Sequence, residues 1–250
     1  MLQSLNMESI SYDTQGKGTL FVVATPLGNL KDITIRALEV LKEVDLIAAE
    51  DTRRTQKLLS AYDIHTPLTS YNENNKFRKT GLLINHMRQG RKISLVTDGG
   101  TPGISDPGGE LVREAREARI PVVPVPGPSA LVCALSASGI PGDAFVFLGF
   151  LPRRKSRRRK ILQEMKEQKR TVIFYEAPHR IAHLLMEIKE ALGNREGVLT
   201  RELTKIHEEI LTGTLEDLIQ RVNEGQPRGE YCFILAPLKK SERIEEELVI

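Results

Sequence analysis

"KISLVTDGGTPGISDPGGELVREAREARI", residues 92–120, runs from an apolar strand through a glycine-rich loop into a helix. Strand followed directly by helix is the repeating unit of an α/β sheet. Between them, the twelve positions from Asp98 to Gly109 hold five glycines, two prolines and two aspartates. Glycine opens backbone N–H and C=O groups to a ligand, and proline fixes the loop in one shape. In open α/β sheets the carboxyl end of a strand is where ligands bind.

The same alternation extends in both directions. "TLFVVA" (19–24) is a continuous β-branched run, as a buried parallel strand requires. "ITIRALEVLKEV" (33–44) follows as a helix, with Ile35, Leu38, Leu41 and Val44 expected on its buried face. "DLIAAE" reads as a strand, "RTQKLLSAY" and "FRKTGLLINHMRQG" as helices, the second ending on a glycine suited to cap it. "PVVPV" (121–125) is a strand and "SALVCALSAS" a helix. Pro126, Gly127 and Pro128 between them form a rigid turn that can act as a hinge. Beyond it come the strand "FVFLGF" (145–150), a helix over 156–168, the strand "TVIFYEA" (171–177) and a helix from Pro178 to Leu192. "GVLTREL", "HEEILTGTL", the helix "EDLIQRVN" and the strand "EYCFILA" close the pattern. The expected organisation is a polar, loosely ordered lead-in over 1–17, an α/β domain over 18–125, a second over 126–238 and a charged tail over 239–250. The first domain should be largely parallel and the second mixed, with "HEEILTGTL" an antiparallel edge.

The chain of 250 residues is 40% hydrophobic and 28% charged, an ordinary globular composition. No apolar run approaches the ~20 residues of a bilayer span, and the N-terminus lacks the pattern of a secretory signal. Cys133 and Cys232 both lie in apolar runs and read as buried thiols, which suits a reducing cytoplasm. The glycine loop has no lysine to make it a P-loop, and neither it nor "TPLGNL" supplies the G-x-G-x-x-G of a dinucleotide site. Asp98 and Asp106 would repel a bare phosphate and suit a ligand with a cationic group or hydroxyls. Two further strand-end loops, "ATPLGNLKDIT" (24–34) and "PGPSA" (126–130), can line one cleft with it.

In order along the chain stand "TPLGNLKDIT", "AAEDTR", "TDGGTPGISDPG", "PGPSA", "GFLPRR", "FYEAPHR" and "RELTKIHEE". This series, spread over residues 19–237, resembles the ribosomal RNA small-subunit methyltransferase I family, within the tetrapyrrole-methylase-like (class III) methyltransferases. The wider group usually has a Gly-Pro-Gly-Asp turn in the first loop and a Gly-Asp-Pro in the later one. "TPLGNL" and "DGGTP" stand there instead, which favours the ribosomal branch over a corrinoid substrate. The resemblance implies two α/β domains with S-adenosyl-L-methionine in the cleft between them, a homodimer, and 2′-O-methylation of a cytidine in the decoding region of 16S rRNA. It implies that Pro26, Leu27, Gly28, Asp98, Gly99, Gly100, Thr101, Ile104 and Ser105 line the cofactor with Ser129, Ala130 and Tyr175. Ser129 also suits the N-cap of the helix that follows it.

The net charge of +3 conceals an asymmetry: residues 151–170 carry ten Lys/Arg against two Glu, a net of +8. Arg153, Arg154, Lys155, Arg157, Arg158, Arg159 and Lys160 lack the alternating signs of a solvated helix face and are expected to bind rRNA phosphates. No aromatic residue interleaves with them, so base stacking is not indicated within the strip. Methyl transfer to a hydroxyl needs a proton acceptor or a cation that lowers the hydroxyl's pKa. "AEDTRR" offers Glu50, Asp51 and Arg53; "YEAPHR" offers Glu176, His179 and Arg180; "RELTKIHEE" offers Arg201, Glu202, Lys205 and Glu208. Each of these also reads as a structural ion pair or cap. Glu202 and Glu176 are the leading candidates for base or orienter, with Glu50, Arg53 and Lys205 behind them. His179 and His183, four apart, are too few ligands for a metal site, so none is expected. Two other readings fit: a small-molecule methyltransferase, which would not need the +8 segment, and a non-catalytic rRNA-binding assembly factor, which would not need the glycines.

Overall fold

The computed structural model describes residues 18–238, so the lead-in and the charged tail lie outside the described residues. The chain forms two compact units. One holds the strand before Ala24 together with Ile35–Asp98 and Pro107–Pro126. The other holds Ala24–Thr34, Gly99–Asp106 and the chain from Gly127 onward.

The first unit is built on β1 (Thr19–Val23), β2 (Leu46–Ala49), β3 (Leu68–Ser70), β4 (Lys92–Val96) and β5 (Val122–Val125). Their order is β3-β2-β4-β1-β5, and every neighbouring pair is parallel. β3, three residues without an apolar run, has no counterpart in the sequence reading; it is a short edge strand paired with β2. Pro124 lacks an N–H and is tolerated because β5 is the opposite edge. The helices α1 (Ile35–Glu43), α2 (Thr52–Ala61), α3 (Lys76–Arg88) and α4 (Gly109–Glu117) connect the strands. On α1 the expected face is corrected: Ala37 and Leu41 are buried, continued by Ile33 and Val44 outside the helix, whereas Ile35 is 68% exposed. Asp51 caps α2 by accepting from the Arg53 amide at 2.9 Å.

The second unit adds α5 (Ala130–Ser138), β6 (Phe145–Phe150), α6 (Lys155–Glu164), β7 (Thr171–Glu176), α7 (Ile181–Leu192), β8 (Glu196–Arg201), β9 (Glu209–Thr214), α8 (Leu215–Glu224) and β10 (Tyr231–Leu235). Strand order is β6-β7-β10-β8-β9, with β6 and β7 parallel and the other pairs antiparallel, so β9 is the expected antiparallel edge. The sheet is apolar on both faces, with the period-2 alternation of a strand. Phe174, Leu199 and Phe233 pack with Leu185 and Ile188 of α7 and Leu218 of α8. Ile173, Val198, Cys232 and Ile234 pack with Ala134 of α5. β6 breaks its alternation near its end, where the pairing to β7 shifts by one residue between Phe147 and Gly149 and Gly149 takes φ +58°.

Candidate active site

The chain passes out of the first unit after β1, β4 and β5, and Ala24–Thr34, Gly99–Asp106 and the chain from Gly127, which follow those strands, belong to the second unit. Within that unit they are tied together. Thr25 and Gly100 exchange backbone hydrogen bonds of 2.9 and 2.8 Å, and the Thr101 hydroxyl donates to the Pro128 carbonyl at 3.1 Å. Gly99 lies so close to the first loop that a Cβ would stand 3.1 Å from the Pro26 oxygen and 3.3 Å from Leu27 Cα. Gly100 takes φ +95°, where a side chain is strained.

These loops wall one side of an open-mouthed pocket. Leu27, Gly99, Gly100, Thr101 and Ile104 face it from the loops, Ser129 and Ala130 from the start of α5, and Tyr175 from β7. The other four expected cofactor residues sit elsewhere. Pro26 backs Gly99 with its carbonyl, and Gly28 packs under Lys205, whose Cγ would be 2.1 Å from an added Cβ. Ser105 lies against Gly149, where a Cβ would meet its hydroxyl at 2.6 Å. Asp98 belongs to the first unit, accepts from the Asp51 amide at 3.0 Å and stands 3.4 Å from Arg54. Asp106, expected to suit a cationic or hydroxylated ligand, is in the lining, whereas the sequence reading missed Phe150, Thr200, Leu203, Glu230, Tyr231 and Cys232. These converge through the pairing of β6, β7, β10 and β8, which no local spacing announces.

The floor is uncharged. Burial pushes the Tyr175 hydroxyl well above its ordinary range and the Cys232 thiol up to about 12. Charge enters the lining from Asp106 on the glycine loop and from Lys205, whose Nζ is 2.8 Å from Glu202 and 3.3 Å from Glu230. Burial acts to lower the pKa of this lysine, but its hydrogen bond to Glu202 and the charge of Glu230 outweigh it and raise the pKa. For Glu202 burial acts upward and is outweighed by the Lys205 bond and the Glu230 amide at 3.1 Å, leaving its pKa lowered. Glu202 is therefore an ionised, already bonded carboxylate, better placed to orient Lys205 than to take a proton. Its conformation, at φ +49°, depends on Gly229, where a Cβ would lie 2.3 Å from its carboxyl carbon.

Glu176, in the same unit, has other partners. Glu176, 1% exposed, accepts from the Ala177 amide at 2.8 Å and pairs with Arg180 at 3.0 Å, which makes it a structural carboxylate. Glu50 and Arg53 lie in the first unit. Burial raises the pKa of Glu50, and the exposed Arg53 is held on Asp51 at 2.7 Å.

In the basic segment Arg153, Arg154, Lys155, Arg157, Arg159 and Lys160 are exposed. Arg158 is a correction: it is 6% exposed and turned inward. Its Nη2 donates to Glu187 at 2.9 Å, its Nε to the other oxygen of that carboxylate, and its Nη1 to the Pro152 and Arg153 carbonyls at 2.9 and 3.0 Å. With four of its five donors spent inside the fold and its side chain buried, it is not presented to a phosphate; it anchors the strip instead.

The chain matches the family of Tetrapyrrole (Corrin/Porphyrin) Methylases over residues 19–219. It is 51% identical over 233 residues to the ribosomal RNA small subunit methyltransferase I of Halalkalibacterium halodurans, covering 93% of this chain and 80% of that one. Against the protein of the same name from Thermotoga maritima the identity is 47% over 219 residues, covering 88% and 98%. Among solved structures, uroporphyrin-III C-methyltransferase from Thermus thermophilus complexed with S-adenyl homocysteine aligns at TM-score 0.63 and 20% identity, covering 91% of this chain and all of that one. A cobalamin biosynthetic enzyme, cobalt precorrin-4 methyltransferase, aligns at TM-score 0.66 and 17% identity, covering 89% and 95%. These last two likenesses concern the fold.

Proposed function

Because the chain belongs to the ribosomal RNA small subunit methyltransferase I family, on the tetrapyrrole methylase fold, we propose that it uses S-adenosyl-L-methionine to methylate a cytidine ribose 2′-hydroxyl in the decoding region of 16S rRNA. The observation that carries the reading is a glycine-walled pocket in the same unit as an exposed cationic helix. With the reading go a cytoplasmic setting, the small ribosomal subunit as partner and action as a homodimer.

The pocket residues fit such a cofactor. Gly99, Gly100 and Ala130 leave backbone accessible for an adenosine and an amino-acid end, with Leu27, Ile104 and Leu203 as apolar contacts. Two carboxylates around one ammonium leave the pocket's charged side net negative, which favours a cation. When bound, S-adenosylmethionine supplies a methyl group made electrophilic by its positively charged sulfur. The chain's part is then to position the hydroxyl, whose oxygen takes the methyl group as the bond to sulfur breaks and whose proton passes to solvent water. The Lys205 ammonium stabilises negative charge developing on the ribose oxygen, and Glu202 holds that ammonium in place.

Lys205→Met keeps the stem that packs on Gly28 and removes the charge. It is expected to lower kcat about a hundredfold with no loss of cofactor affinity, since the two carboxylates that favour a cation remain. Unchanged turnover in single-turnover assays would remove Lys205 from the mechanism. Changing Arg153, Arg154, Arg157 and Lys160 to glutamine should weaken rRNA binding and flatten its dependence on salt, by about 0.7–0.9 in the log–log slope for each charge that meets a phosphate. A binding titration from low to physiological salt reads this directly.

The whole reading is tested by incubating the protein with radiolabelled S-adenosylmethionine and small subunits from cells lacking the cognate modification. A single 2′-O-methylcytidine in the decoding region, mapped by resistance to alkali, is the expected product. Label absent from RNA while the cofactor still binds would favour a small-molecule substrate.

A further inference from the structure

We propose that Phe150 is the stacking platform for the base of the nucleotide being modified, aimed into the pocket mouth by the irregularity in β6. The proposal rests on the RNA-methylating reading and adds to it how a nucleobase is held. In an unbroken strand Phe150 would point to the same side as Leu148, into the core against α7 and α8. The one-residue shift reverses it. Phe147 stands opposite Ile173, Gly149 opposite Phe174, and Phe150 opposite Tyr175. Phe150 thus shares the sheet face of Phe147 and Tyr175, and Leu151 takes the buried position in the core.

The bulge needs Gly149: its φ is +58°, and a Cβ would meet the Ser105 hydroxyl at 2.6 Å. Phe150 meets Tyr175 edge-to-face, ring centroids 5.7 Å apart and planes at 61°. Although it lines the pocket, it stays 52% exposed, an unusual state for an aromatic ring in a cavity. Ile104, also in the lining, is 42% exposed. Two half-exposed apolar side chains at one mouth fit a flat, unstacked base. The exposed cations begin at Arg153, three residues beyond Phe150, so the backbone of a strand whose base lies here is within reach of positive charge.

The test compares Phe150→Ala, Phe150→Leu and Phe150→Tyr. With small subunits as substrate, Ala and Leu should each lower kcat/KM about tenfold or more through the KM for RNA. Tyr should restore it, and cofactor affinity by calorimetry should change less than about twofold. A leucine variant as good as tyrosine, or a loss that follows cofactor affinity, overturns the proposal. A second readout does not depend on methyl transfer: fluorescence of pyrrolocytidine in a single-stranded oligoribonucleotide. Quenching by the native protein that disappears with Phe150→Leu supports stacking; absent or equal quenching refutes it. Failure of native protein to label RNA would instead count against the RNA-methylating reading.

Discussion

Gly100→Val is expected to abolish S-adenosylmethionine binding, by more than about a hundredfold in calorimetry, while leaving both sheets folded. Two costs act together. At φ +95° a β-branched residue is strained by about 1–3 kcal/mol. Relief of that strain would break the paired hydrogen bonds with Thr25 that hold two pocket loops together. The valine side chain would also project from a wall that the pocket needs thin. Gly99→Val should behave alike, because its Cβ meets the Pro26 carbonyl and Leu27 Cα, which are backbone and cannot swing aside. Gly109→Ala, where nothing lies within 4 Å of the added carbon, is the control and should bind normally. Near-native affinity in Gly100→Val would mean that the ligand does not use this wall.

Glu187→Ala is expected to cost about 3–5 kcal/mol in urea unfolding, because it strands the buried Arg158 charge. Replacing both, Arg158→Leu with Glu187→Leu, should recover much of the loss. The pair also sets a pH dependence. The Arg158 bond holds the Glu187 pKa below its ordinary value, so its contribution is complete above the unfolded carboxylate's pKa and is lost as the pH falls through the lower folded one. Acid titration of the double variant should lack this step. For RNA the two kinds of arginine separate: Arg157→Gln should lower the salt slope, and the double leucine variant should leave it unchanged. A slope reduced by the double variant would show that Arg158 reaches phosphate after all.

What could be read from sequence divides along physical lines. Continuous, mostly apolar runs such as "TLFVV" and "YCFIL" are strands because both sheet faces are covered, and their shortness marks them. The glycine loop was legible because close backbone approach leaves a compositional mark. β3 was not, since "LTS" is held by pairing to β2 rather than by apolar burial. The inward face of α1 was misjudged because Ala37, a small residue, takes the place that hydrophobicity gave to Ile35. Among seven neighbouring basic residues nothing local distinguishes Arg158; its partner Glu187 lies on another helix. The Lys205–Glu202–Glu230 cluster was half visible, as Glu230 arrives only through the pairing of β10 with β8.

The route of the chain through its two units bears on how this protein can be taken apart. A cut at the Pro-Gly-Pro turn looks natural in sequence, yet it would leave the C-terminal piece without Ala24–Thr34 and Gly99–Asp106. That piece would keep its sheet, its helices and its cationic helix, but two of the three loop walls of its pocket would have gone with the other fragment. The pocket is thus not a module that can be transplanted as one continuous segment. Any chimaera or minimal version has to carry the loops across with the strands that launch them.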